Sequence, residues 1–131
     1  MTDLSSAPPP EFFADRCLGR TTVTRLHSLG WSIVRISDVF VDDAQSISDD
    51  EWVAFGGSKS WALLTKDKKI RYQPAFEAAT TPIFALSVGT LTIDEMVQRF
   101  EAGRPRIWQH AHAAERQFWI VYDGGRVERR A

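Results

Sequence analysis

The sequence predicts one mixed α/β domain with a mainly parallel central sheet, helices on both faces and a C-terminal β-hairpin. Three observations predict it. Short runs rich in aromatic and β-branched residues alternate with stretches of helical periodicity, and strands alternating with helices assemble into a mostly parallel sheet through crossover connections. The chain has 131 residues and 44% hydrophobic content, close to the common domain size of about 100–150 residues, so a single core is expected. The last two strand-like segments are separated by only Asp123, Gly124 and Gly125, a turn suited to an antiparallel hairpin and too short for a crossover.

Met1 to Pro10 has the composition of an extended, poorly packed lead-in, with Pro8, Pro9 and Pro10 in succession. A flexible segment is therefore placed at 1–10 and the folded domain at 11–131. Glu11 to Asp15 reads as a short buried strand. From Arg20 onward, Val23, Leu26 and Leu29 recur at helical spacing before Gly30, which predicts an amphipathic helix closed by glycine. Trp31 to Ile36 is the second strand, and Asp38 to Ser46 is polar and turn-like. Ser48 and Glu51 carry the Ser-x-x-Glu capping pattern, and Trp52, Val53 and Phe55 supply the apolar content of a helix ending near Gly56 and Gly57. Trp61 to Thr65 is the third strand. Pro74 suits the first turn of a helix through Ala79, and Thr81 to Val88 is the fourth strand. Leu91, Met96, Val97 and Phe100 mark a further helix, opened by a second capping box at Thr92 and Glu95, with a restart expected after Pro105. Phe118 to Tyr122 and Arg126 to Arg129 are the hairpin strands.

Composition excludes several classes. The 16 basic and 17 acidic residues give a formal charge of -1, so the overall charge neither advertises nor excludes nucleic-acid binding, which would rest on local patches. The lone Cys17 rules out an internal disulfide and suits a reducing compartment. No long apolar stretch predicts a membrane span, and the N-terminus lacks the order of a signal peptide, so a cytoplasmic location is expected. There is no internal repeat and no glycine-rich phosphate loop. His27, His110 and His112 share no ligand spacing with Cys17, so zinc is not expected. The His110-x-His112 pair near a helix end reads as a surface or capping feature, and Cys17 as a small buried filler. The five tryptophans read mostly as core or interface anchors. Trp108 and Trp119 are the candidates for apolar surface serving a homodimer or a protein partner.

The chemistry lies in the placement of acids. Asp15 closes the first apolar run, Asp49, Asp50 and Glu51 open a helix, and Asp67 closes a third run. In an open α/β sheet the ligand crevice lies outside the carboxyl ends of the strands, so these acids are placed to converge there. Carboxylates without partners suit a hard divalent cation such as Mg2+ or Mn2+, and hence phosphodiester chemistry. Taken singly, each acid is more often a turn or cap residue; their joint order favours a site. Lys66, Lys68, Lys69 and Arg71 flank Asp67, and Arg16 and Arg20 flank Asp15, as contacts for RNA phosphates. On charge patterning alone the same run is more often a solvated face. Tyr72 and Trp52 are lower-ranked candidates for stacking on an unpaired base.

The stretches Phe12-Phe13-Ala14-Asp15-Arg16-Cys17-Leu18-Gly19-Arg20, Ser48-Asp49-Asp50-Glu51-Trp52, Leu63-Leu64-Thr65-Lys66-Asp67-Lys68 and Gly89-Thr90-Leu91-Thr92 resemble the compact PIN-like domains related to the VapC toxins. The resemblance implies a Rossmann-like PIN domain with an acidic site for Mg2+ or Mn2+, used for RNA cleavage and often acting as the toxin of a toxin–antitoxin pair. By position, Asp15 matches the acid ending the first strand, Asp49 the acid opening the helix after the second, and Asp67 the acid of a Thr-x-Asp motif. Asp50 and Glu51 are adjacent candidates. Many such domains carry a further acid or amide near the end of the fourth strand. Here Gly89, Thr90 and Leu91 stand in that stretch and the nearest acid is Asp94, leaving the Thr90 hydroxyl as a substitute. The expected function is a metal-dependent endoribonuclease with an antitoxin protein covering its acidic crevice. A non-catalytic PIN-like module that binds RNA or protein is the second reading, favoured by the missing acid. A receiver-like switch fails on order, since paired acids should follow the first strand, where only Asp15 stands.

Overall fold

The structure is a computed structural model that describes residues 9–40 and 47–131. Residues 1–8 of the expected lead-in, and 41–46 of the expected turn, lie outside the described residues. Six strands form one sheet: β1 (Glu11–Ala14), β2 (Ser32–Arg35), β3 (Ala62–Thr65), β4 (Pro82–Leu86), β5 (Gln117–Val121) and β6 (Val127–Arg129). Their order is β2-β1-β3-β4-β5-β6. All neighbours are parallel except β5 and β6, which pair antiparallel with Ile120 opposite Glu128. The α/β class, the mainly parallel sheet and the terminal hairpin are thus as the sequence predicts.

Side chains alternate across a strand, so each strand feeds two cores. Phe12, Ala14, Leu64, Phe84 and Trp119 face one side, and Phe13, Leu63, Ile83, Ala85 and Phe118 face the other. The first side is covered by α1 (Arg20–Ser28) and α4 (Ile93–Ala111), through Val23, Leu26, Met96, Val97, Phe100 and Ile107. The second is covered by α2 (Asp49–Ser58) and α3 (Pro74–Glu77), through Trp52, Val53, Ala75 and Phe76. β1, β3, β4 and β5 carry apolar residues on both faces because both faces are covered. Among the described residues no helix is long and apolar enough to cross a membrane.

Three expectations need correction. The helix does not restart after Pro105: α4 runs unbroken through it. An interior proline removes one backbone bond and crowds the preceding turn, at a cost of about 3 kcal/mol. Here Met96, Val97 and Phe100 before it and Ile107 and Ala111 after it are all buried on one stripe, and that packing holds both halves on one axis. Trp119 is not surface. It lies in the core, 6.1 Å from the Phe84 ring and stacked under His110 at 4.2 Å, while Trp108 is half-buried edge-on to Trp31 at 5.7 Å. Trp52 is 1% exposed and is therefore unable to stack on a base.

Candidate active site at the carboxyl edge of the sheet

The chain leaves β1 toward β2 on one side and later enters β3 on the other, so β1 and β3 flank the point where strand order reverses. A crevice opens there in folds of this type. Ala14 pairs with Leu64 in parallel register, and the ladder continues through the Asp15 N–H to the Leu64 carbonyl at 2.9 Å. Asp15 and Thr65, each one residue further on, therefore fall side by side. The Thr65 hydroxyl, fully buried, donates to the Asp15 carboxylate at 2.8 Å and accepts from the Asp67 N–H at 3.0 Å. A single side-chain oxygen thus ties the acid ending β1 to the backbone of the acid following β3. The Asp67 carboxylate in turn accepts from the Lys69 N–H at 2.9 Å, which caps the short turn of helix over Lys68–Tyr72.

Asp49 comes from the first turn of α2 and is half-buried, whereas Asp50 and Glu51 are exposed. Burial raises the Asp49 carboxyl above its ordinary pKa, with further contributions from the charges of Asp15, Asp67 and Asp50. The three acids thus lie in one electrostatic neighbourhood. Glu51 is turned away from it: its carboxylate accepts from the Ser48 hydroxyl at 3.2 Å while its own N–H donates to that hydroxyl at 3.2 Å. Cys17 sits beside the same oxygen, its Sγ 3.6 Å from Thr65 Oγ1. Burial first, and then the charge of Asp15, push the thiol up to about 11, so it is neutral in the physiological range.

The donor set has the hard-oxygen chemistry that Mg2+ and Mn2+ require. One oxygen of Asp15 is bound to Thr65 and one of Asp67 to the Lys69 N–H, and Asp15 also meets the Cys17 thiol. Among the described residues, however, no group of three or more His, Cys, Asp or Glu is spaced to hold a metal ion as it stands. In the fourth-strand stretch Thr90 is exposed, and Asp94 pairs with Arg25 on α1. His27 bonds the Ile33 carbonyl at 2.7 Å.

The basic residues divide between two cavities. One, of about 320 Å3 at the ends of β1 and β2, is lined by Asp15, Arg16, Arg20 and Arg35 among others. The other, of about 300 Å3 beyond β3, β4 and β5, is lined by Lys68, Lys69, Arg71 and Arg130 with two tyrosines. Lys66 is half-buried at the end of β3 and lines neither. Sequence reading missed Arg35, Tyr122 and Arg130, whose placement depends on strand order and on the hairpin. It quoted Thr65 only as part of a motif; the signal for its role was a hydroxyl at the strand position next to an acid.

A family model described as a PIN like domain matches residues 10–87, the stretch from β1 through β4 that carries all three acids. No curated protein and no solved structure matches the chain significantly.

Proposed function

The chain belongs to the PIN-like domain family, and on that premise we propose that it is a PIN-type nuclease hydrolysing RNA phosphodiester bonds with Mg2+ or Mn2+. The observation that supports the proposal is the link from the Asp15 carboxylate through the Thr65 hydroxyl to the Asp67 backbone at the reversal of strand order, with burial and then the charges of Asp15 and Asp67 raising the pKa of Asp49. Asp15, Asp49 and Asp67 would hold the cation. When bound, it supplies Lewis-acid stabilisation of the phosphate and lowers the pKa of coordinated water.

The chain's own residues do the rest. Thr65 holds the Asp15 carboxylate in one orientation, so the site is organised before substrate arrives. Arg16 and Arg20 on one side, and Lys66, Lys68, Lys69 and Arg71 on the other, bind and align the phosphates of the strand. Asp50 and Glu51, exposed beside Asp49, contribute charge at the rim. In a toxin–antitoxin pair, the antitoxin would insert an Arg or Lys among the acids and block the cation.

The second reading, a non-catalytic RNA- or protein-binding module, is favoured by the absence, among the described residues, of a ready three-ligand group. One experiment separates the two. Total RNA is incubated with wild type, Asp15→Asn and Asp67→Asn in Mg2+ or Mn2+. Cutting by wild type alone, with both variants folded, supports the nuclease. Equal cutting by all three refutes the site, and none by wild type in either metal supports the binding module.

A further inference from the structure

We infer that the cavity beyond β3, β4 and β5 is a pocket for one unpaired RNA nucleotide, its base on Tyr72 and its phosphate between Lys68, Lys69 and Arg130. This rests on the reading of RNA as substrate and extends it to a site that the family match covers only in part. Ile120, Tyr122 and Arg130 all lie after residue 87, where that match ends.

The lining has the two properties that single-strand recognition needs, an aromatic platform and a group of cations. Tyr72 is 78% exposed with the Arg71 guanidinium 5.0 Å from its ring centre, so ring surface stays open to a base. Tyr122 is instead fixed as a wall: its hydroxyl accepts from Arg130 at 2.6 Å and the Arg126 guanidinium lies 3.9 Å from its ring centre. Ile120 supplies an apolar floor and no acid lines the cavity. Lys68 and Lys69 make no ion pair among the described residues, and Arg130 reaches Glu128 only at 3.7 Å. This concentration of positive charge belongs to a chain with a net charge of -1, so it is not the overflow of a generally basic surface. The volume of about 300 Å3 lies at the small end of ligand pockets, as a single nucleotide requires. The pocket also begins next to the acids, because the N–H of Lys69 is bonded to the Asp67 carboxylate. A strand crossing the acids toward β5 would lay a neighbouring nucleotide here.

The test is fluorescence anisotropy of a labelled, unpaired oligoribonucleotide with the full chain in EDTA, which prevents cleavage. Tyr72→Ala is expected to weaken binding about 5- to 100-fold, the range for loss of one stacked base, while Tyr72→Phe binds as wild type. Arg130→Ala weakens binding as well. An otherwise identical abasic strand is expected to bind wild type and Tyr72→Ala alike, which a purely electrostatic role would not produce. Tyr72→Ala binding as tightly as wild type, or losing as much affinity for a duplex or for the abasic strand, overturns the pocket. RNA cutting together with Tyr72-independent binding would keep the nuclease and remove the pocket. Tyr72-dependent binding without cutting would do the reverse, and no binding by wild type would overturn both.

Discussion

Replacing Thr65 by valine keeps the volume of a fully buried side chain and deletes one oxygen, the one that joins Asp15 to Asp67. A hydrogen bond to a charged group contributes about 1.5–3 kcal/mol and a neutral one about 0.5–1.5 kcal/mol. The two bonds at 2.8 and 3.0 Å therefore set an upper bound of about 4.5 kcal/mol. Asp15 and Asp67 are only half-buried, so water recovers part of that, and the expected loss is about 2–3 kcal/mol. For a domain of this size this corresponds to a fall in Tm of about 6–15 °C. Thr65→Ser keeps the oxygen and sacrifices one methyl group, about 1 kcal/mol. Urea unfolding followed by the fluorescence of the five tryptophans measures both variants. On the proposed nuclease reading, RNA cleavage below the unfolding transition should fall in the valine variant and recover in serine, because the Thr65 hydroxyl orients Asp15. A valine variant as stable as wild type, or a serine variant as damaged as the valine, would refute the hub.

Asp49→Asn should stabilise the protein without divalent cations at neutral pH. The folded pKa of Asp49 is raised, so its ionised form costs the folded state stability as pH rises through that value, and the cost vanishes below the ordinary carboxylate range. Thermal unfolding should show a higher Tm for the variant at pH 7 and none of that gain near pH 3; equal Tm values at pH 7 would contradict it. Mn2+ should then raise the wild-type Tm more than that of Asp49→Asn, and an identical rise would remove Asp49 from the cation site. Gly56→Ala should destabilise by about 1–3 kcal/mol although alanine is the better helix former by about 1 kcal/mol, because its Cβ would lie 2.4 Å from Leu63 Cδ2 and 3.3 Å from Phe13 Cδ2. Denaturant unfolding decides the sign. Cys17, with its thiol pushed up to about 11, should be alkylated by iodoacetamide at pH 8 at least about tenfold more slowly in the folded protein than in the unfolded one; similar rates would disprove the burial argument.

What the sequence made legible was what local chemistry decides. The alternation of β-branched runs with helical spacing fixed the strand and helix order, and the Asp123-Gly124-Gly125 turn announced the hairpin, with Gly124 and Gly125 both at positive φ. The Thr92–Glu95 capping box forms in both directions. Pro105 was misread because a proline inside a helix is judged by its own cost, whereas the burial of residues on both sides is a property of the assembled sheet. Trp119 was misjudged for a similar reason: its neighbours in the core, Phe84 and His110, come from other elements.

The acids show where such reading stops. Once β1 and β3 are known to be parallel neighbours, a residue just past the end of each must land beside the other, and Asp15 and Thr65 meet for that reason alone. Which oxygens then remain for a cation depends on competing bonds. One oxygen of Glu51 accepts from Ser48 three residues away, and one of Asp67 accepts from the Lys69 N–H; Asp49 has its pKa raised by burial first and then by the charges of its neighbours. Local hydrogen bonds form at little entropic cost, so they dispose of the acids whose backbone neighbours can satisfy them. Asp49 is the acid whose ionised form burial disfavours, and the charges of Asp15 and Asp67 add to that cost, so a positive charge there relieves it most.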